Sequence, residues 1–222
     1  MTLRRVIAVV LMSSALTASA QPHPPPRYPR PPGPVAPAMI DAERAWREAE
    51  ASPPRDGPER WRAAARAFDA VAADTRVAEA VRAEAAWTAV LAWKNALAID
   101  PRVKSRDEHD AFDEATTPMP LSIDDAGLVA SLSRFLTLVP TSIDAPGVRF
   151  ARANVLRRYH HDDEALIDLR ELITKHLDHE VGIYAVNLAL DLLNRARRYD
   201  EMLAMVAMVR ADPRLKDTEL AQ

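Results

Sequence analysis

Between residues 41 and 211 apolar side chains recur every three or four positions and hardly ever alternate with polar ones. A 3.6-residue period places such positions on one face of a helix, whereas a strand needs a period of two. The pattern therefore predicts a run of amphipathic helices. The first spans 41–51, with Asp41 as N-cap and Ser52-Pro53-Pro54 as its stop. The second spans 58–73, with Pro58 in the first turn and Trp61, Ala64, Ala65, Phe68, Val71 and Ala72 on one face. A third, 76–98, is apolar around much of its circumference, so Trp87 and Trp93 are expected to face different neighbours. Ser105 with Glu108 and Ser122 with Asp125 form two capping boxes. They predict a short helix over 106–115 and a longer one from 122 to 138, the latter closed by Pro140. Two helix pairs follow, 146–159 with 163–175 and 181–196 with 200–211, closed by Asp212-Pro213.

The last two pairs match each other. Asp163-Glu164-Ala165-Leu166 aligns with Asp200-Glu201-Met202-Leu203 at an offset of 37, and Leu156, Leu169 and Leu172 then fall on Leu193, Val206 and Val209. Matching apolar positions at one offset are an internal repeat. One such pair cannot bury its own apolar face, so repeats stack and share a continuous core. The spacing resembles the tetratricopeptide repeat (TPR). Tyr199-Asp200-Glu201 resembles the aromatic–acidic–acidic opening of that family's second helix. Ala153, Ala165, Leu169 and Leu172 fit its small and large apolar positions, and Trp61, Ala64, Phe68 and Val71 repeat the second-helix pattern. The chain departs from the family in its period, in Leu177 where a closing proline is usual, and in Met202 where alanine is usual. The resemblance implies an all-α fold of four antiparallel helix pairs stacked as an α-solenoid over 40–216, with 217–222 as a tail.

Composition changes the picture at the N-terminus. Arg4 and Arg5, an apolar run from Val6 to Met12, and Ala18-Ser19-Ala20 form the three parts of a secretory signal. The apolar run is far shorter than the ~20 residues that span a bilayer. Residues 1–20 are thus expected to be removed after Ala20, and the absence of cysteine excludes a lipid anchor at the cut. The expected location is periplasmic or secreted, without stable membrane insertion. Residues 21–39 hold nine of the 18 prolines, which fix φ and delete amide donors. That segment reads as an extended, disordered linker. The remaining prolines fall at helix starts or in breaks. The whole organisation is similar to envelope repeat proteins of GC-rich Gram-negative bacteria such as the myxobacteria.

Charge and chemistry then narrow the function. The net charge is −3, but residues 1–40 hold four arginines and no acid, so the remainder carries −7. An acidic body does not suit nucleic acid, which needs a basic face. Five glycines and no cysteine exclude a glycine-rich phosphate loop and any thiol chemistry. Histidines cluster at His160-His161-Asp162-Asp163 and at His176-Leu177-Asp178-His179-Glu180. Imidazoles beside carboxylates suit zinc. The two clusters, however, lie at opposite ends of the 163–175 helix, about 18 Å apart at ~1.5 Å per residue. They read instead as turns and caps, with Asp162 or Asp163 at a helix N-terminus and His176 near the negative end of a dipole. No metal, cofactor or catalytic residue is assigned, and the chain is not expected to be an enzyme.

In the family it resembles, first helices line a concave groove. Carried onto this chain, the groove-facing polar residues are Asn154, Arg157 and Arg158 in one pair and Asn187, Asp191 and Asn194 in the next. Asparagine both donates to and accepts from a peptide backbone, and arginine grips a carboxylate in a fork. Phe150 stands where that family's chaperone-tail binders carry a lysine, so capture of a chain-terminal carboxylate is not implied. The expectation is a non-catalytic scaffold that binds a protein or peptide. The alternatives are an envelope component acting through its proline-rich tract, or a cell-wall-acting enzyme.

Overall fold

The structure, a computed structural model, describes residues 36–53, 55–99 and 117–215. The expected signal, most of the proline-rich linker, the short helix over 106–115 and the tail lie outside the described residues. Within them the chain is all-α: eight helices and no strand. They are α1 (Pro37–Glu50), α2 (Gly57–Ala73), α3 (Glu79–Ile99), α4 (Ile123–Leu138), α5 (Ala145–Arg158), α6 (Asp162–His176), α7 (Glu180–Arg195) and α8 (Tyr199–Ala211), followed by a 3-10 turn (Pro213–Leu215).

Helix ends follow local chemistry. α1 starts at Pro37, four residues before Asp41, and takes in the end of the expected linker. Proline at the first helical position has no amide to lose and its φ is already helical. Asp41 is therefore no N-cap but a surface partner of Arg44 at 3.0 Å. α4 starts as its capping box predicts: Ser122 Oγ accepts from the Asp125 amide at 3.1 Å. The Asp125 carboxylate in turn accepts the Ser122 hydroxyl at 2.5 Å. α6 corrects another expectation. Its N-cap is His161, without a side-chain cap, and Asp162 and Asp163 sit in the first turn, where they face the positive end of the dipole.

α3 starts three residues later than its periodicity suggests, because Asp74 and Arg76 close the preceding turn. Asp74 accepts from the Arg76 amide (3.0 Å), Nε (2.9 Å) and Nη2 (2.8 Å). Asp212 and Arg214 repeat this after α8, at 2.9, 2.9 and 2.7 Å. The guanidinium and amide donors pull both carboxyls from 3.8 down to about 2. A depressed folded pKa gives stabilisation that is complete above the unfolded value and lost as pH falls through the folded one. A carbon-detected NMR titration should therefore show both carboxyls protonating near pH 2. A midpoint near 3.8 for either would mean that this turn is open in solution.

Each helix packs on the next, and α2 also packs on α4 and α5 on α7. The short connections within 37–99 and within 123–211 make consecutive helices there antiparallel. Two apolar cores result. The first gathers Met39, Trp46, Phe68, Trp93, Leu132, Phe135 and Tyr159. The second gathers Leu156, Leu166, Leu169, Leu172, Ile173, Leu192 and Leu193. α5 belongs to both. Val148, Val155 and Tyr159 face the first core, while Ala153 and Leu156 face the second.

The first core is aromatic. Trp46 stands edge-on to Trp61 at 4.7 Å and to Phe68 at 6.2 Å. The tryptophans of α3 do diverge, Trp87 lying against Phe135 of α4 while the Trp93 indole donates to Asp69 of α2 at 3.0 Å. In the second core alanines (Ala153, Ala165, Ala185, Ala189) are fully buried where helices approach closely.

The offset of 37 is visible in the backbone. His160 and Arg197, 37 residues apart, both take a left-handed conformation, with φ of 58° and 56°. His161 donates to the Leu156 carbonyl and Arg198 to the Leu193 carbonyl, the same closure at the same offset. The α5–α6 and α7–α8 corners are thus two copies of one turn.

Candidate binding face

Buried and half-buried carboxylates tie the helices together and occupy most of the arginines that are not exposed. Arg62 of α2 grips Asp124 of α4 through Nε (2.8 Å) and Nη2 (2.6 Å). Asp69 accepts from Trp93, Ser131 and Arg134, joining α2, α3 and α4. Asp125 accepts from Tyr159 at 2.5 Å and from Arg158 at 3.3 Å, joining α4 to α5. Asp168 of α6 holds Arg152 and Arg149 of α5. Arg195 Nη2 of α7 lies 2.8 Å from both oxygens of Asp162.

Arg157 differs. Among the described residues no group accepts a hydrogen bond from it, and its Nε is buried without a partner. The Nε of Arg195 is also buried and unpartnered. Burial first, and then the Arg195 and Arg158 charges, lower the pKa of Arg157, while Asp191 and Asp162 act in the opposite sense. A buried guanidinium nitrogen without an acceptor is expensive to keep, since an unpaired buried donor costs about 1–3 kcal/mol.

Its surroundings come from α5 and α7 together. On α5, Phe150, Asn154 and Arg157 follow each other at spacings of four and three, which is one helix face. On α7, Tyr184, Asn187, Asp191 and Asn194 do the same at three, four and three. The two stripes meet where the Phe150 and Tyr184 rings lie 6.3 Å apart. Asn187, Asp191 and Asn194 are exposed, and their side chains are bonded to no other described residue. Asn154 is half-buried and donates to the Phe150 carbonyl at 3.1 Å, which leaves its oxygen unengaged.

The structure thus brings Arg157 and Asp191 into one electrostatic neighbourhood and puts the other asparagines on the same two faces. It removes Arg158 from the set, because that guanidinium is engaged with Asp125. Phe150, Tyr184 and Arg195 are additions. An offset of 34 links Phe150 to Tyr184 and Arg157 to Asp191 and would have revealed the aromatic pair, though not Arg195. The offset of 37 hides that match because it registers the corners and not the two facing helices.

No protein-family model, no curated protein and no solved structure matches the chain. The reading of this face therefore rests on its own chemistry. Among the described residues no group of three or more His, Asp or Glu side chains is placed to hold a metal ion, and no helix is long and apolar enough to cross a membrane. His179 is used as a cap, its Nδ1 accepting from the Val181 amide at 3.2 Å. His161 Nε2 lies 2.9 Å from the Met119 carbonyl, and the Met119 amide donates to Tyr159 at 2.8 Å. These contacts fasten the chain before α4 to the α5–α6 corner.

Proposed function

We propose that the protein is a non-catalytic, TPR-like helical scaffold of the periplasm or cell exterior, and that it binds a protein or peptide across the α5–α7 face. Arg157 carries this reading. A half-buried cation with no acceptor among the described residues, where the comparable described arginines are paired, is the natural counterpart of a carboxylate brought by a partner. Asn187 and Asn194 add donors and acceptors for a peptide backbone, and the Phe150–Tyr184 pair adds an apolar contact. The signal-like residues 1–20 support the location, and the repeated corner at an offset of 37 supports the stacked architecture.

A peptide array comparing acidic, neutral and basic sequences tests the reading. Acidic peptides should be retained. Arg157→Met, which keeps the packing of the side chain and removes its charge, should weaken retention at least about tenfold, the value of a lost charge-assisted hydrogen bond. Undiminished binding by Arg157→Met, or equal retention of all three peptide classes, would remove Arg157 from the site.

A further inference from the structure

The outer face of α8 is unfinished. Met205 and Val209 anchor the helix in the second core. The opposite side shows Leu203 at 62% exposure, with Ala207 and Ala211 also exposed, and Met208 is exposed on the flank. Its repeat counterpart on α6 is covered at the positions of Leu203 and Arg210 and exposed at those of Asp200 and Ala207, which are Asp163 and Arg170. At the offset of 37, Leu203 corresponds to Leu166, which is 1% exposed. Arg210 corresponds to Ile173, also buried. α6 has α7 against it, and the described chain supplies no helix beyond α8.

The charges on this face say what fits it. Asp200, Leu203, Ala207 and Arg210 are spaced three, four and three, so they share one stripe. Asp200 at its start and Arg210 at its end are exposed and bonded to no described residue, although Glu201 next to Asp200 is held by Arg170 and Arg198. Asp200 and Arg210 both suit the dipole of their own helix. An antiparallel copy of α8 centred on position 205 meets the stripe with complementary groups. Asp200 then faces Arg210 of the other copy, Arg210 faces Asp200, and each Leu203 lies against an alanine at 207. A twofold axis makes both halves of that contact at once.

The far end of the chain does not offer the same match. The outward positions of α1 are Ile40, Asp41, Arg44, Arg47 and Glu48, four charges around one exposed isoleucine. Head-to-tail stacking of α8 on α1 would bury those charges. We propose that the protein forms a twofold homodimer through the outer face of α8, held by Leu203 packed on Ala207 and by paired Asp200–Arg210 contacts. This does not depend on the role of Arg157, and the α5–α7 face takes no part in it.

One helix face buries less than the area of a standard interface, so the dimer is weak, with a Kd on the order of 100 µM. Sedimentation equilibrium of the full mature chain from about 10 µM to 1 mM should show a monomer–dimer equilibrium in that range. Leu203→Glu should leave a folded monomer at every concentration, with folding checked by circular dichroism. Asp200→Arg alone and Arg210→Asp alone put like charges together and should each weaken the dimer about tenfold. The double variant restores opposite charges and should recover most of the affinity. A wild-type monomer at 1 mM overturns the proposal and leaves the face to the chain's own last residues or to a different protein. A dimer that ignores Leu203→Glu, or that the double charge exchange fails to restore, overturns it as well.

Discussion

Replacing Asp168 by alanine is expected to destabilise the fold by about 3–5 kcal/mol, the usual consequence of removing one partner from a buried ion pair. Asp168 is fully buried in α6. It receives Arg152 in a fork, Nε at 2.7 Å and Nη2 at 2.6 Å, and Arg149 at 3.3 Å. The aspartate holds the Arg152 guanidinium above its usual pKa. With the carboxylate gone, both cations stay against the second core. Arg149 keeps Glu171 at 2.9 Å and Arg152 keeps only the Ser133 hydroxyl at 2.8 Å. The loss comes mainly from this uncompensated charge. Adding Arg152→Met to Asp168→Ala should therefore recover part of the stability, since an ion pair replaced by apolar groups is often close to neutral. Urea denaturation measures both, as a fall in midpoint with unchanged slope. A single-variant loss below about 1 kcal/mol would mean that the carboxylate is solvated and the α5–α6 contact looser than the distances imply.

Gly182→Ala is expected to cost about 3 kcal/mol or more, at or beyond the upper end of overpacking effects. Gly182 lies in the first turn of α7, and a Cβ there would stand 2.1 Å from the His176 carbonyl oxygen and 2.7 Å from Leu177 Cα. These are backbone atoms, so no side chain can rotate away. The start of α7 would have to leave the end of α6 and take the second core with it. Gly147→Ala is the internal comparison. A Cβ there meets nothing within 4 Å, and alanine should be neutral or stabilising by up to about 1 kcal/mol in a helix. Equal effects of the two substitutions would show that Gly182 matters through propensity and not through contact.

The helices were legible in the sequence because their apolar faces are regular and several of their ends carry proline or a capping serine. Boundaries shifted where side-chain closure competed with periodicity, as at Asp74–Arg76, or where a proline could begin a helix and not only break one, as at Pro37. The candidate face was legible in part. Asn154, Arg157, Asn187, Asp191 and Asn194 lie on the two helices expected, but the pairing of Arg158 with Asp125, 33 positions away, depends on how α4 meets α5. Neither a pattern nor a spacing encodes that meeting. The same holds for Asp168, which looks like one acid among many on an exposed helix and is instead the deepest charge in the second core. The unpartnered state of Arg157 is likewise a property of the packed structure.

The α5–α7 face is the surface through which we propose that the protein binds its partner. Site-specific photo-crosslinking in the intact cell envelope addresses this directly, with the reactive group at Asn187 or Asn194 and, as controls, at Arg66 on the exposed side of α2 and in a chain lacking residues 21–35. The prediction is a common adduct from Asn187 and Asn194 that is absent from Arg66, lost with Arg157→Met and kept when 21–35 are removed. Adducts from Arg66 alone, or adducts that vanish with residues 21–35 while Arg157→Met leaves them intact, would contradict it and move the working surface to the proline-rich tract.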